Sequence, residues 1–274
     1  MNDEKNARKR WLKAELHSHC SLDPMDYRVC EHSPEGLIKE AARLGYEVLA
    51  ITCHNLDVWN EDLSEYARSL GITLIPGMEV NAEGAKHTLV YNFRTGPENL
   101  NTLVKIRARS GEDTMVIAPH PFFPGKFCLG GLLEQHIDLF DAVENSGFFA
   151  PGLDFNRRAR AVARKHAKPM VGNGDVHYLW QLGRTYSLVQ SSGATFVSKP
   201  ARSLIWMLRA GGPLDSGAAS PLPITLPRRA RSGPWPPCQL TSNDLKESRI
   251  SASRSFWILN SGFWIPFPTL TDRR

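Results

Sequence analysis

Residues 14–20 read AELHSHC, an apolar run that ends in two histidines two positions apart, and the rest of the chain repeats its logic. A strand delivers its last side chains to one rim of a sheet, so donors placed directly after short apolar runs gather at one end of a set of parallel strands. The pattern returns in LAITCHN, LIPGMEV, VIAPHPF, DAVENSG and VGNGDVH. Together these strings supply His17, His19, His54, Glu79, His120, Glu144, Asp175 and His177. One histidine at a strand end is ordinarily a satisfied structural residue. Six strand ends in register point instead to a multinuclear metal site. Imidazole and carboxylate without thiolate suit Mn, Zn or Fe, and argue against a structural zinc knot.

Working outward from the donors, strand candidates lie at residues 14–16, 48–51, 73–75, 88–93, 115–118, 142–143 and 170–171. They alternate with helical signals, the mark of βα units around a parallel sheet. Ser33, Pro34 and Glu35 read as N-cap, first helical residue and acidic first turn, with Leu37, Ile38, Ala41, Ala42 and Leu44 on one face and Gly45 as the stop. Asn60 caps a second helix in the same way, with Leu63, Tyr66, Ala67 and Leu70 on its face and Gly71 at its end. Seven countable strands fall one short of the eight-stranded barrel. The expected fold class is therefore α/β, a distorted seven-stranded (β/α) barrel over residues 13–210, after a lead at 1–12.

The grammar changes near residue 190. From there to residue 274 the chain holds ten of its nineteen prolines and no histidine, with no sustained apolar period. A short helix is expected at 201–209, and residues 211–274 read as a Pro-, Ser- and Arg-rich irregular extension, a composition that also fits a shifted reading frame. Residues 190–274 carry a net charge of +7 against +5 for the whole chain, so residues 1–189 are at −2. The barrel therefore lacks the electrostatic footprint of nucleic-acid binding. Five cysteines form no CxxC pair and favour reduced thiols in a cytoplasm; Cys20 and Cys53 neighbour donors, but a small buried thiol is their commoner role. The N-terminal MNDEKNARKRWLK has no apolar core for a signal peptide, and no run approaches the ~20 residues of a membrane span. A cytoplasmic protein without a membrane partner is expected.

LHSHCSLD, ITCHN, PGMEV, APHPF, VEN and GNGDVH, in this order, resemble the motifs of the PHP family, named for polymerase and histidinol phosphatase domains, and especially its stand-alone metal-dependent phosphoesterases. The resemblance spans about residues 13–189. It implies a first metal on His17, His19, Glu79 and Asp175, with Glu79 bridging to a second that also takes His120 and Glu144. A third would use His54, His177 and an acid soon after the first motif, with Asp23 chosen and Asp26 its rival. One departure is Cys53, where the family pattern TDH has Asp and this chain reads TCH; a lost carboxylate behind a ligating His would tune affinity.

The reaction so implied is hydrolysis of a phosphate ester or nucleotide by a bridging hydroxide that two or three divalent ions (Mn, Zn or Fe) activate. Asp175 or His177 would help to move protons, and Arg184, after the GDVH loop, would bind phosphate. Arg157 and Arg158 are weaker candidates for the same task, and Trp59, Phe122, Phe123, Phe148, Phe149, Tyr178 and Trp180 follow donors closely enough to wall the mouth of a site. His87 opens the run HTLVYNF, the wrong end of a strand for the rim, so a structural role is expected; His32, His136 and His166 read as surface or capping residues. A nuclease or RNA-processing subunit on the same scaffold and a non-catalytic metal-stabilised binding module are the rival functions. The first would show a salt-sensitive nucleic-acid complex, and the retained donor set disfavours the second.

Overall fold

The computed structural model describes residues 10–150, 153–191, 257–259 and 263–265. In chain order the strands are β1 (Arg10–Glu15), β2 (Val48–Ala50), β3 (Thr73–Ile75), β4 (Gly77–Ala82), β5 (Lys86–Tyr91), β6 (Met115–Ala118), β7 (Ala142–Ser146), β8 (Phe149–Ala150), β9 (Leu153–Asp154), β10 (Met170–Asn173), β11 (Ser187–Ser191), β12 (Trp257–Leu259) and β13 (Phe263–Ile265). The helices are α1 (Pro34–Arg43), α2 (Glu61–Ser69), α3 (Leu103–Arg109), α4 (Leu132–Gln135) and α5 (Arg157–Lys165). Both cap predictions hold: the Ser33 side chain accepts from the Gly36 N–H and that of Asn60 from the Leu63 N–H. Gly45 and Gly71 follow at φ 75° and 81°, left-handed stops that a Cβ would oppose.

Each of the seven expected strand segments overlaps a strand, with those at 14–16, 48–51 and 88–93 running one or two residues past its end, yet the barrel is corrected. The strands form a four-stranded sheet in the order β11-β1-β2-β3 and a five-stranded sheet in the order β10-β7-β6-β5-β4. β1, β2 and β3 run parallel, as do β6, β7 and β10, but β4, β5 and β6 pair antiparallel and β11 lies antiparallel to β1. The physical reason is the short turn at Glu83 and Gly84 (φ 48° and 82°), which joins β4 to β5 as a hairpin where a βα unit would need a crossover helix. The sheets do not close by continuous pairing. Two isolated parallel bridges link them, Ser18 after β1 with Val176 after β10 and His54 after β2 with Glu79 in β4.

Alternation along the strands builds three apolar layers. Leu12, Ala14, Val48, Ala50, Leu89, Tyr91, Met115, Ile117, Ala142 and Val171 face one another between the sheets. Their neighbours Leu49 and Ile51 turn outward to α1 and α2, and Val90, Val116, Ala118 and Val143 turn outward to α3, α4 and α5. Strands buried on both faces read as continuous apolar runs, which is how these segments look in the sequence. No helix among the described residues is long and apolar enough to cross a membrane.

A separate unit, residues 221–274, contains the hairpin of β12 and β13, in which Trp257 pairs with Ile265 and Leu259 with Phe263. These strands fall within the stretch expected to be irregular. The rest of 211–274, and the helix expected at 201–209, lie outside the described residues.

Gly77 opens β4 because a Cβ there would sit 2.8 Å from Cδ1 of the fully buried Tyr91. Gly77→Ala should therefore cost about 1–3 kcal/mol of stability through overpacking. Urea unfolding that shifted by less than a few tenths of this would show that Tyr91 yields freely.

Candidate metal centre

The chain leaves β1 and β2 into two loops that are knitted together. The Thr52 N–H donates to the Ser18 carbonyl at 2.7 Å, the Ser18 hydroxyl donates to the Ala50 carbonyl at 2.7 Å, and the Ser18 N–H donates to Thr52 Oγ1 at 3.2 Å. On the far side the His19 N–H donates to the Val176 carbonyl, and Asn55 N–H to the Glu79 carbonyl. The loops after β1, β2 and β10 and the strand β4 thus converge on one buried spot.

There, four imidazoles turn Nε2 toward two carboxylates. His17 Nε2 lies 3.4 Å from Glu79 Oε2 and 3.3 Å from Asp175 Oδ1; His19 Nε2 lies 3.5 and 3.2 Å from the same atoms. His54 Nε2 is 3.1 Å from Glu79 Oε2, and His120 Nε2 is 3.3 Å from Glu79 Oε1 and 3.8 Å from Asp175 Oδ2. Each ring is held from behind at Nδ1. Glu144 Oε1 holds His17 at 2.9 Å, Asp23 Oδ2 holds His19 at 2.8 Å and His54 at 3.0 Å, and the Cys128 thiol meets His120 at 3.5 Å. An acceptor at Nδ1 fixes the tautomer with Nε2 free, the usual preparation of a metal-binding imidazole.

The residues present fit divalent cations. His17 Nε2, His19 Nε2 and Glu79 Oε1 are buried without a hydrogen-bond partner, and leaving each so costs about 1–3 kcal/mol. Cations among them would remove that cost. Four overlapping donor groups, each within a 4.8 Å span, are His17 with Glu79 and His120, His17 with His19 and Asp175, His19 with Asp23 and His54, and His54 with Glu79 and His87.

Some assignments sit differently from expectation. Glu144 spends both oxygens as a brace: Oε1 accepts from His17 and the Asn173 amide, and Oε2 accepts from the His120 N–H. Asp23 likewise braces two rings. Asp26, its rival, reaches His177 Nε2 at 2.9 Å and His54 Nδ1 at 3.6 Å. His177 sits beside Asp175, its Nδ1 3.4 Å from Oδ1. Arg184 stands 4.4 Å over the Trp180 ring. His87 joins the donors after all, with Nδ1 2.9 Å from Glu79 Oε1. Its strand, β5, runs antiparallel to β6, so its beginning, not its end, lies at the rim. His32 also has a task, a 2.8 Å contact from Nε2 to the His19 carbonyl. His166 follows the last turn of α5 and meets Glu134 at 3.4 Å.

Sequence reasoning missed Glu15. Fully buried beneath the cluster, it accepts from the N–H groups of His17 and Gly174 at 3.0 Å, and burial pushes its pKa up to about 8 against those bonds. A Cβ on Gly174 would lie 3.0 Å from Glu15 Oε2, so glycine keeps this contact open. Strain gathers here too. His120 and Asp175 have φ of 25° and 47°, conformations that cost about 1–3 kcal/mol each for a side chain other than glycine.

Residues 15–138 match the family described as PHP domain, and residues 154–198 that described as PHP-associated. The chain belongs to the PHP family. An uncharacterized protein of Methanocaldococcus jannaschii is 27% identical over 149 residues, 50% of this chain and 85% of that protein. The DNA polymerase III PolC-type of Oceanobacillus iheyensis is 32% identical over 92 residues, 34% of this chain and only 6% of the polymerase. A solved structure from Bifidobacterium adolescentis, assigned as a metal-dependent phosphoesterase, aligns at a TM-score of 0.44 with 14% identity, over 60% of this chain and 87% of that one.

Electrostatics of the PHP cluster set its response to pH. Burial alone would lower the pKa of His54, but the charges of Glu79 and Asp23 raise it to about 10; Asp175, Glu144 and Glu79 raise His17 well above the ordinary imidazole range in the same way. Protons therefore occupy these rings at neutral pH when no cation does, and a cation must displace them. Loading with Mn²⁺ should release protons, and affinity should rise as pH is raised from 6 to 8. Calorimetry in buffers of differing ionisation enthalpy reads the released protons; a pH-independent affinity would contradict the protonated cluster.

Proposed function

We propose that the chain is a metal-dependent phosphoesterase. The observation that carries this reading is the convergence of four braced Nε2 atoms on Glu79 and Asp175 in one buried spot. His17, His19, Glu79 and Asp175 would hold one ion, with Glu79 shared toward a second near His87 and His120, and His54, His177 and Asp26 the residues nearest a third. When bound, such ions supply Lewis acidity toward phosphoryl oxygens and acidify water. The chain's own residues do the rest. Asp23 and Glu144 hold the rings in place, Glu15 anchors the loop that carries Asp175 through the Gly174 N–H, and burial excludes bulk water. Asp175 and His177, adjacent at the rim, are the groups suited to move a proton between the ester and solvent. Mn, Zn and Fe all suit this donor set, and the substrate is a small phosphate ester or nucleotide.

The decisive assay is phosphate release from a generic aryl phosphate with added Mn²⁺, abolished by a chelator and restored by metal. Metal-replete protein should carry at least two ions per chain by elemental analysis, and less than one would remove the basis of the site. Replacing His17 and His19 together by Ala should reduce kcat by at least about a hundredfold with the far-UV spectrum nearly unchanged. Retention of a tenth of wild-type kcat would mean that these residues do not hold the catalytic ion. Glu79→Gln should be similarly damaging, because an amide neither carries the charge nor bridges two cations well.

A further inference from the structure

A groove with a cavity volume of about 640 Å³ opens beside the donor cluster. It shares a wall with His120: the lining residue Pro121 follows His120 in the chain, and the lining residue Cys128 is the one that meets His120 Nδ1. Ring contacts continue the path outward. Phe148 lies 5.8 Å from the His120 ring and 4.8 Å from that of Phe123, which in turn lies 5.0 Å from Phe155.

Phe122, Phe123 and Phe155 line the groove together with Arg157 and Arg158. The Arg158 guanidinium stands 4.2 Å over the Phe122 ring. The one acid among the described lining residues, Asp154, is paired with Arg160 and also feels the charge of Arg157, so Arg158 is left without an acid in the lining. Both lining arginines lie in the first turn of α5, which carries no acidic residue, and cations there oppose the helix dipole. The fold thus accepts an electrostatic cost to present positive charge at this point. A site for a bare anion would not need aromatic walls and this volume, and a site for a neutral ring would not need two guanidinium groups that outnumber the acid beside them.

We infer that the groove holds the part of the substrate beyond the scissile phosphate, and that this part is a flat aromatic ring bearing its own negative charge. The ring stacks against the phenylalanines while Arg157 and Arg158 take the second anionic group, with the ester oxygen turned toward His120 and the metal centre. This inference rests on the phosphoesterase reading for the words "scissile phosphate", and on the groove alone for the ligand class.

Two measurements on the full-length Mn²⁺-loaded protein test it. The first compares kcat/KM for phenyl phosphate and 4-carboxyphenyl phosphate in wild type and in the double variant Arg157→Gln, Arg158→Gln. The comparison across proteins cancels the chemical advantage of the better leaving group, and the variant should lose about tenfold of the preference for the charged ester, through KM. The second measures binding of 4-sulfobenzoate, which holds no ester, by calorimetry; the variant should again lose about tenfold. Binding of sulfobenzoate without hydrolysis of either ester would uphold the groove and sink the phosphoesterase reading. Hydrolysis with an unchanged preference, or sulfobenzoate binding that ignores the double variant, would overturn the groove.

Discussion

One buried carboxylate, Asp23, aims two imidazoles on two different loops. Its Oδ2 meets Nδ1 of both His19 and His54 and accepts the His54 N–H at 2.8 Å, while Oδ1 takes the N–H groups of Met25 and Asp26 at 2.8 and 2.9 Å. Burial should raise the pKa of such an acid, but the two imidazoles hold it far below the usual carboxylate range. Removing it would free both rings to rotate and strand their Nδ1 atoms in a buried site. Loss of a single brace is thus expected to be felt at two donors at once, which is why metal affinity depends on residues that need not touch the metal.

The mixed topology answers a second constraint, that donors from both sheets must reach one point. A purely parallel set would bring only strand ends to the rim. The β4–β5 hairpin adds the middle of one strand and the beginning of another, Glu79 and His87, and the bridge from His54 to Glu79 draws that hairpin onto the loop after β2. On the other edge Ser18 pairs with Val176 and Glu15 grips Gly174. Backbone strain at His120 and Asp175 is concentrated where these constraints meet, and the packed layers on either side supply the stability that sustains it.

Much of this was legible. Apolar runs ending in His or carboxylate located seven strands and brought His17, His19, His54, Glu79, His120 and Asp175 to one spot, because burial on both faces leaves continuous apolar sequence. The expectation for His87 rested on one assumption, that every strand points its end at the rim, and the period-two pattern of β4 was the signal against that assumption. Met78, Val80 and Ala82 pack on the outer core while Glu79 faces the donors, and Glu83 and Gly84 make a turn too short for a crossover. The bracing roles of Asp23 and Glu144 could not be read, since an acid that ligates and an acid that orients the ligand occupy the same places along a chain. Glu15 was hidden for a related reason. A carboxylic acid kept by two backbone N–H groups has no sequence signature apart from the glycine that makes room for it.

Cys53 shows how the arrangement absorbs a departure from the family motif. Its sulfur lies 3.4 Å from that of Cys20, both side chains are fully buried, and the pair belongs to an apolar cluster with Leu49, Ile51 and Val176 on the α1 and α2 side of the sheet. The contact with Cys20, then burial, push the Cys53 thiol pKa far upward, so it stays neutral. A carboxylate in the same place would be an ion among apolar side chains, with no cation described beside it, and would have to be neutralised or to draw the loop out of register. The chain instead keeps its charged brace at Asp23, where two imidazoles compensate it, and fills position 53 with a small apolar side chain. Asp23 makes the shortest contact to His54 Nδ1, with Asp26 behind it at 3.6 Å, so its loss, rather than that of Cys53, should weaken the His54 side of the metal centre.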